Sequence, residues 1–276
     1  MTAVTAEPEP ATTVGAVAPR VTLGVALSDA ATITRRYLTH VIRQPQLLVF
    51  STVQPVMFVL LFRYVFGGAL QLPPQFGDNY SNFLLPGIFV QTVAFGSTQT
   101  AIALADDLGK GVIDRFRSLP MARSAVLVGR TSADLVRGFL VVLIMTVVGL
   151  IIGFRPDWLG LLGAIGIVVA LGFAMSWIYA LVGMSVPNSE TAQAASFVVT
   201  FPLVFASAVF VPTQTMPEWL RVFAENNPIT HVAEASRWLA TGIGDGSDHL
   251  MWSLVWIVGL LVVFVPLSVN RYRHMT

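Results

Sequence analysis

Apolar residues fill six long stretches of this chain, and polar residues gather in the intervals between them. The stretches run over about residues 46–66, 83–105, 132–154, 159–184, 192–211 and 250–270. Each is near the ~20 residues a helix needs to cross a hydrocarbon core, so the pattern predicts an all-α polytopic membrane protein with six transmembrane helices. Pro55 falls mid-way along the first stretch and is expected to kink it. Arg63 lies within a turn of that stretch's outer end, where its head reaches water at little cost. Arg155-Pro156-Asp157 reads as a tight turn that folds the third and fourth stretches into a hairpin.

The intervals carry patterns of their own. Residues 1–20, rich in Ala, Thr, Pro and Glu, lack the basic and apolar regions of a secretory signal and are expected to be a disordered tail. Across 21–45, Leu23, Leu27, Ala30, Tyr37 and Val41 fall near one helical face, with Arg35, Arg36, His40 and Arg43 towards the far end. That suits an amphipathic interfacial helix whose arginines reach anionic headgroups, and a solvated basic linker is the alternative. Residues 46–276 then form one transmembrane domain. Between the fifth and sixth stretches, Met216-Pro217-Glu218-Trp219-Leu220-Arg221-Val222-Phe223 and residues 229–240 read as two short helices separated by Asn226-Asn227-Pro228. Two such helices fit a re-entrant or interfacial hairpin better than a free loop of this length.

The interval over 106–130 is the most informative. Gly109 and Gly111 on one side and Pro120 on the other bound a piece about two turns long. Val112, Ile113, Phe116 and Leu119 share one face of it, and Asp114, Arg115, Arg117 and Ser118 the other. Such a helix either lies in the lipid interface or presents Phe116 and its neighbours to a groove in a partner.

Composition agrees with the pattern. Hydrophobic residues make up 55% of the 276 and charged residues 11%, against about 25% charged in soluble domains. The net charge of +1 says nothing about partners, among which no nucleic acid is expected, and the lack of cysteine removes disulfides and thiolate chemistry. The basic residues are unevenly placed. Twelve of them, including Arg35, Arg36, Lys110, Arg115, Arg117, Arg123, Arg130 and Arg137, fall on the side of the termini, against Arg155, Arg221 and Arg237 opposite. By the positive-inside rule both termini and the 106–130 interval face the cytoplasm of a cell inner membrane.

Catalytic signatures are missing. Gly109-Lys110-Gly111 lacks the upstream glycine and the Ser/Thr of a P-loop, and His231 with Glu234 lacks a second histidine in sequence for zinc. The polar residues within the stretches form weak stripes instead. Gln193, Ser196, Thr200 and Ser207 share a face of the fifth, while Gln91, Thr98 and Gln99 cluster in the second. With Phe95, Phe197 and Phe201 they read either as a pathway for an amphiphile or as ordinary helix packing, helped by Gly149 and Gly153 at G-x-x-x-G spacing. Arg130, Asp134 and Arg137, at i, i+4 and i+7, read as an exposed ion-pair ladder anchoring a helix end, with a gating role as the alternative.

Three motifs in order, Phe83-Leu84-Leu85-Pro86-Gly87-Ile88, Arg115-Phe116-Arg117-Ser118-Leu119-Pro120-Met121-Ala122-Arg123-Ser124, and Met216-Pro217-Glu218-Trp219 with Asn227-Pro228-Ile229-Thr230, resemble the type-2 ABC transporter permeases. The nearest branch is the daunorubicin-resistance (DrrB-like) efflux permeases. The resemblance implies an N-terminal connecting helix at 21–43, a coupling helix at 112–119 and re-entrant helices before the last span. It also implies two copies of a separate ABC ATP-binding subunit that holds ATP and Mg, and a second permease, either the same chain or a paralogue. No cofactor is then expected in this chain, and Val112, Ile113, Asp114, Arg115, Phe116, Arg117 and Leu119 become the residues that couple it to the ATPase. A non-transporting membrane assembly or anchoring protein is the competing expectation.

Overall fold

A computed structural model of the chain describes residues 23–43, 45–66, 80–113, 123–244 and 246–275. The tail expected over 1–20 and the coupling positions 114–119 lie outside the described residues. Among the described residues the regular structure is entirely helical. The helices are α1 (Leu23–Arg43), α2 (Pro45–Leu60, running on as a π-turn over Leu61–Phe66), α3 (Tyr80–Gly109), α4 (Arg123–Ile151) and α5 (Trp158–Gly183). They continue as α6 (Ser189–Phe205), α7 (Glu218–Glu225), α8 (Pro228–Thr241) and α9 (Ser247–His274). α3, α4 from Ala125, α5 and α9 are long and apolar enough to cross a membrane, while the apolar part of α2 with its π-turn, Ser51–Val65, and the 17-residue α6 are shorter.

Burial sorts these helices by polarity in the sense a lipid solvent requires. α9 is the most apolar of the four long helices and the least buried, so its side chains face outward. α3 is the least apolar and the most buried, with Ser81, Asn82, Gln91, Thr92, Ser97 and Thr100 turned inside. Backbone and side-chain polar groups have no water partner in hydrocarbon, so the helix that carries most of them takes the centre. α3 accordingly packs on α4, α5, α6 and α8. A second core cluster joins Ala30, Ile33 and Tyr37 of α1 to Leu104, Ile113, Val126, Leu127 and Trp177.

Three boundaries differ from the sequence expectation. The polar interval expected across 106–130 is helical at both ends, since α3 runs to Gly109 and α4 starts at Arg123, and the chain turns at Gly111 with φ 66°. The third stretch ends at Ile151 instead of 154, because Gly153 at φ 99° turns the chain there. Gly153 is therefore a turn residue, whereas Gly149 does pack, with a Cβ there placed 3.0 Å from Leu85. The fifth stretch stops being helical at Phe205 instead of 211. Pro202 removes one ladder donor near that end, and α8 supplies partners for the backbone that follows.

α5 and α8 meet backbone to backbone. The start of α5 is capped by Asp157, whose carboxylate accepts from Gly160 N at 2.7 Å, and Asp157 N donates to Ala240 O of α8 at 2.7 Å. A Cβ on Gly160 would sit 1.8 Å from Leu239 O, so only hydrogen fits. Gly160→Ala is expected to cost about 1–3 kcal/mol through forced separation of the two helices, read as a lower thermal midpoint of the detergent-solubilised protein. Gly166→Ala in the same helix meets nothing within 4 Å and serves as the control that leaves the midpoint unchanged or raised.

Candidate functional site

The 3.6-residue period of α4 puts Arg130, Asp134 and Arg137 on one face, and that face turns into the protein. Their side chains are 14%, 6% and 13% exposed, so the ladder is buried, not exposed as its sequence position suggested. Arg130 Nε lies 3.3 Å from Asp134 Oδ2, and Arg137 Nη2 lies 3.2 Å from Asp134 Oδ1. The Thr100 hydroxyl donates to the same carboxylate. Arg137 Nη2 also donates to Gly96 O at 2.6 Å, and Arg130 Nη2 to Gln99 O at 3.2 Å. The ladder thus staples α4 to α3. Burial changes its energetics too, because losing one member leaves an uncompensated charge in place of the few tenths of a kcal/mol an exposed pair is worth.

α1 joins this cluster through Tyr37. The Arg130 guanidinium lies 4.8 Å from the centre of the Tyr37 ring, and the Tyr37 hydroxyl donates to Asp107 Oδ2 at 2.6 Å. Burial, and then the Asp107 carboxylate, push the Tyr37 hydroxyl above the usual phenol range, so it remains a donor. Tyr37→Phe keeps the ring under Arg130 and loses only the hydroxyl bond. It is expected to cost about 1–3 kcal/mol, seen as a lower thermal midpoint, while Tyr37→Ala loses both contacts and more.

A cavity of about 440 Å³ opens beside the cluster, between α2, α3, α4 and α5. Arg130, Asp134 and Arg137 form one wall, Ser51 and Gln54 of α2 and Gln91 and Gln99 of α3 add polar groups, and Phe95, Val141 and Val169 make it otherwise apolar. Of the pathway residues expected from sequence, Gln91, Phe95 and Gln99 line this space. Thr98 instead bonds back to Phe95 O at 2.7 Å. The fifth-stretch residues divide. Gln193 and Phe197 are exposed, the Phe197 ring lying 6.1 Å from that of Phe95. The Ser196 hydroxyl is buried without a hydrogen-bond partner among the described residues, and Thr200 bonds to the Tyr179 hydroxyl of α5 and to Ser196 O. Of the coupling positions, Ile113 is 1% exposed within the second core cluster and Val112 is half-buried; Asp114, Arg115, Phe116, Arg117 and Leu119 lie outside the described residues. Sequence reasoning missed Tyr37, Gln54 and Thr100, although Gln54, an amide in the middle of an apolar stretch, was a usable signal.

At the other end of the bundle the sequence motifs converge. Asn227 caps α8 with its side-chain oxygen, accepting from Ile229 N at 2.9 Å, and its amide donates to Leu203 O and Ala206 O at the end of α6. Thr230 accepts from Ala208 N at 3.1 Å. Arg237, counted from sequence as an outer-loop cation, is 1% exposed. It donates to Phe83 O at 2.8 Å, to Ala208 O at 2.5 Å and to Val209 O at 2.8 Å, and pairs with Glu234 at 2.8 Å. Its guanidinium lies 3.8 Å from the centre of the Phe83 ring, and Gly87 leaves the room, since a Cβ there would sit 2.4 Å from Val209 O. The stretches 83–88 and 227–230 thus both pack around the end of α6 and the residues after it, the first through Gly87 and Arg237, the second through Asn227 and Thr230. His231 also gains a partner absent from its sequence neighbourhood, His249 of α9, with the two Nδ1 atoms 3.1 Å apart.

Comparison with known proteins decides what this arrangement belongs to. A profile of the family described as "ABC-2 type transporter" matches residues 29–240, which takes in both of these stretches, the buried ladder and the cavity. The chain belongs to the ABC-2 type transporter family. As a member of that family it is similar to the daunorubicin resistance ABC transporter permease protein DrrB1 of Streptomyces coeruleorubidus, at 37% identity over 88% of each chain. It is also similar to the probable doxorubicin resistance ABC transporter permease protein DrrC of Mycobacterium tuberculosis, at 27% identity over 88% of each. A putative transport permease, ycf38, of Cyanophora paradoxa is 26% identical over 77% of this chain and 74% of its own. This ABC-2 chain is a multi-pass membrane protein, and its relatives are permease subunits.

Proposed function

We propose that this chain is the transmembrane permease of an ATP-driven exporter of hydrophobic or amphiphilic compounds, working with a separate ATP-binding subunit. The similarity to drug-resistance permeases over 88% of each chain carries the reading. In it, α2 with its π-turn and α6 are the two shorter spans that complete a set of six, with both termini and the 110–122 segment at the cytoplasmic face of the inner membrane. α1 is the connecting helix, and α7 and α8 are the re-entrant pair before the last span. Two ATP-binding subunits, which hold the ATP and Mg, and a second permease complete the transporter.

The local geometry suits a coupling role for the 110–122 segment. Its near stem, Ile113, is buried in the cluster that also holds Tyr37, Leu104 and Val126, so a displacement of the loop is passed to α1, α3 and α4 together. Those helices carry the charged wall of the cavity. ATP can move the membrane part only by contacting its two states differently, and this loop offers such contact. Affinity purification of the full chain from its native membrane tests the reading. An ATP-hydrolysing subunit is expected to copurify and, reconstituted with the permease in vesicles, to drive drug uptake in inside-out orientation. Purification without any ATPase, at normal membrane levels of the chain, overturns it.

A further inference from the structure

The polar groups around the cavity are unevenly spent. Asp134 is the only acid in its lining, and its two oxygens already serve Thr100, Arg130 and Arg137. A cation entering the cavity would have to displace one of these donors. The two guanidiniums are in the opposite position. They share one carboxylate, so the wall carries one positive charge in excess. Arg130 Nε, though 3.3 Å from Asp134, has no hydrogen-bond partner among the described residues. Gln91, 2% exposed and lining the same space, likewise has its amide oxygen without a partner. A buried polar group without a partner is costly, and a ligand that supplies one recovers that cost. Phe95, Val93, Val141 and Val169 in the same lining add apolar surface.

We propose that the cavity is a site for the acidic head of an amphiphile: a carboxylate or phosphate against Arg130 and Arg137, a hydroxyl or amide near it against Gln91, and an apolar body along Phe95 and Val141. Planar guanidiniums match such two-oxygen anions in geometry as well as charge. α2 and α4 each turn apolar side chains outward beside the site, Val53 and Met57 on the one and Phe139 and Leu140 on the other, so a long tail can stay in the bilayer while the head is bound. The assignment names the ligand class for the exporter proposed above and rests on that reading for its transport meaning, but the binding itself does not need the ATP-binding subunit.

The test uses the full chain alone in phosphatidylcholine nanodiscs, titrated with dansyl-undecanoic acid and with the dansyl amine of equal chain length. The acid is expected to bind about tenfold tighter than the amine or better, and Arg137→Gln to weaken acid binding by about tenfold or more. Asp134→Asn is expected to leave acid binding equal or tighter, because it removes the competing acceptor; a purely structural ladder would lose binding in both variants alike. Should Arg137→Gln fail to reach the membrane, Arg130→Gln replaces it, and the wild-type comparison of acid with amine stands regardless. Equal affinity for acid and amine, or parallel loss in Asp134→Asn and Arg137→Gln, overturns the proposal. A second arm replaces part of the phosphatidylcholine with phosphatidylglycerol. With acid selectivity established, competition by that lipid assigns the site to bilayer headgroups, and its absence assigns the site to a solute amphiphile. Loss of ATPase copurification with acid binding intact would count against the exporter reading alone, and the reverse result against the site alone.

Discussion

Arg237→Leu is expected to lose about 3–5 kcal/mol of stability, the range found when one member of a buried charged pair is removed. The leucine fills part of the volume but leaves the carbonyls of Phe83, Ala208 and Val209 without the donor they now share, and Glu234 without its cation. Arg237→Lys is expected to recover only part of the loss, since one ammonium on a flexible stem cannot reach Phe83 O on α3 and the 208–209 carbonyls in the arrangement a planar fork holds. Glu234→Gln should cost far less, because Glu234 is 28% exposed and its amide can still accept from Arg237. Thermal unfolding in detergent, followed by tryptophan fluorescence, separates the three; a Leu variant as stable as the wild type would show that the contact is incidental.

Phe116→Asp is expected to abolish stimulation of the partner ATPase while the permease still accumulates in the membrane. Phe116 shares a sequence face with Val112 and Leu119, and an aromatic anchor in a partner groove is worth about 2–4 kcal/mol, so docking should weaken by about 30-fold or more. Ile113, on the same face, is held in the permease's own core, which keeps the start of the segment fixed when its far side engages a partner. Ile113→Asp is therefore expected to fail differently, by lowering the level of folded permease. Phe116→Leu should retain stimulation. ATPase rates at matched permease levels check both.

Much of the helical layout was legible because each element is set by local signals. Pro217 and Asn227-Pro228 open α7 and α8, Gly242 at φ 68° closes the second, and Asp157 caps α5. The run of apolar residues located the ends of the long helices within about four positions, save the start of α4, which lies at Arg123 and not near 132. Where sequence reasoning failed, the deciding partner was distant in the chain. Arg237 and Arg137 looked like surface cations because nothing within a turn of either, beyond one acid each, shows that the carbonyls they bind lie 28 to 154 residues away. The end of α6 was misplaced in part for the same reason: residues 206–211 are apolar enough to continue a span, and besides Pro202 it is Asn227 and Thr230, from the next helix pair, that take up their backbone groups. The candidate site was half visible. Gln91, Phe95 and Gln99 stood out as a stripe in one stretch, but their joining to Arg130, Asp134 and Gln54 is a property of packing, which hydropathy does not record.

The sharing of partners around α8 sets how that end of the molecule can yield. Ala208 has both its backbone groups answered by side chains of one helix, N by Thr230 and O by Arg237, and Asn227, the cap of that helix, holds the carbonyls of Leu203 and Ala206. A slide of α8 would break these bonds together, so that end of the bundle is expected to open in one step. The joint between α6 and α8 is then expected to act as a latch rather than as a hinge.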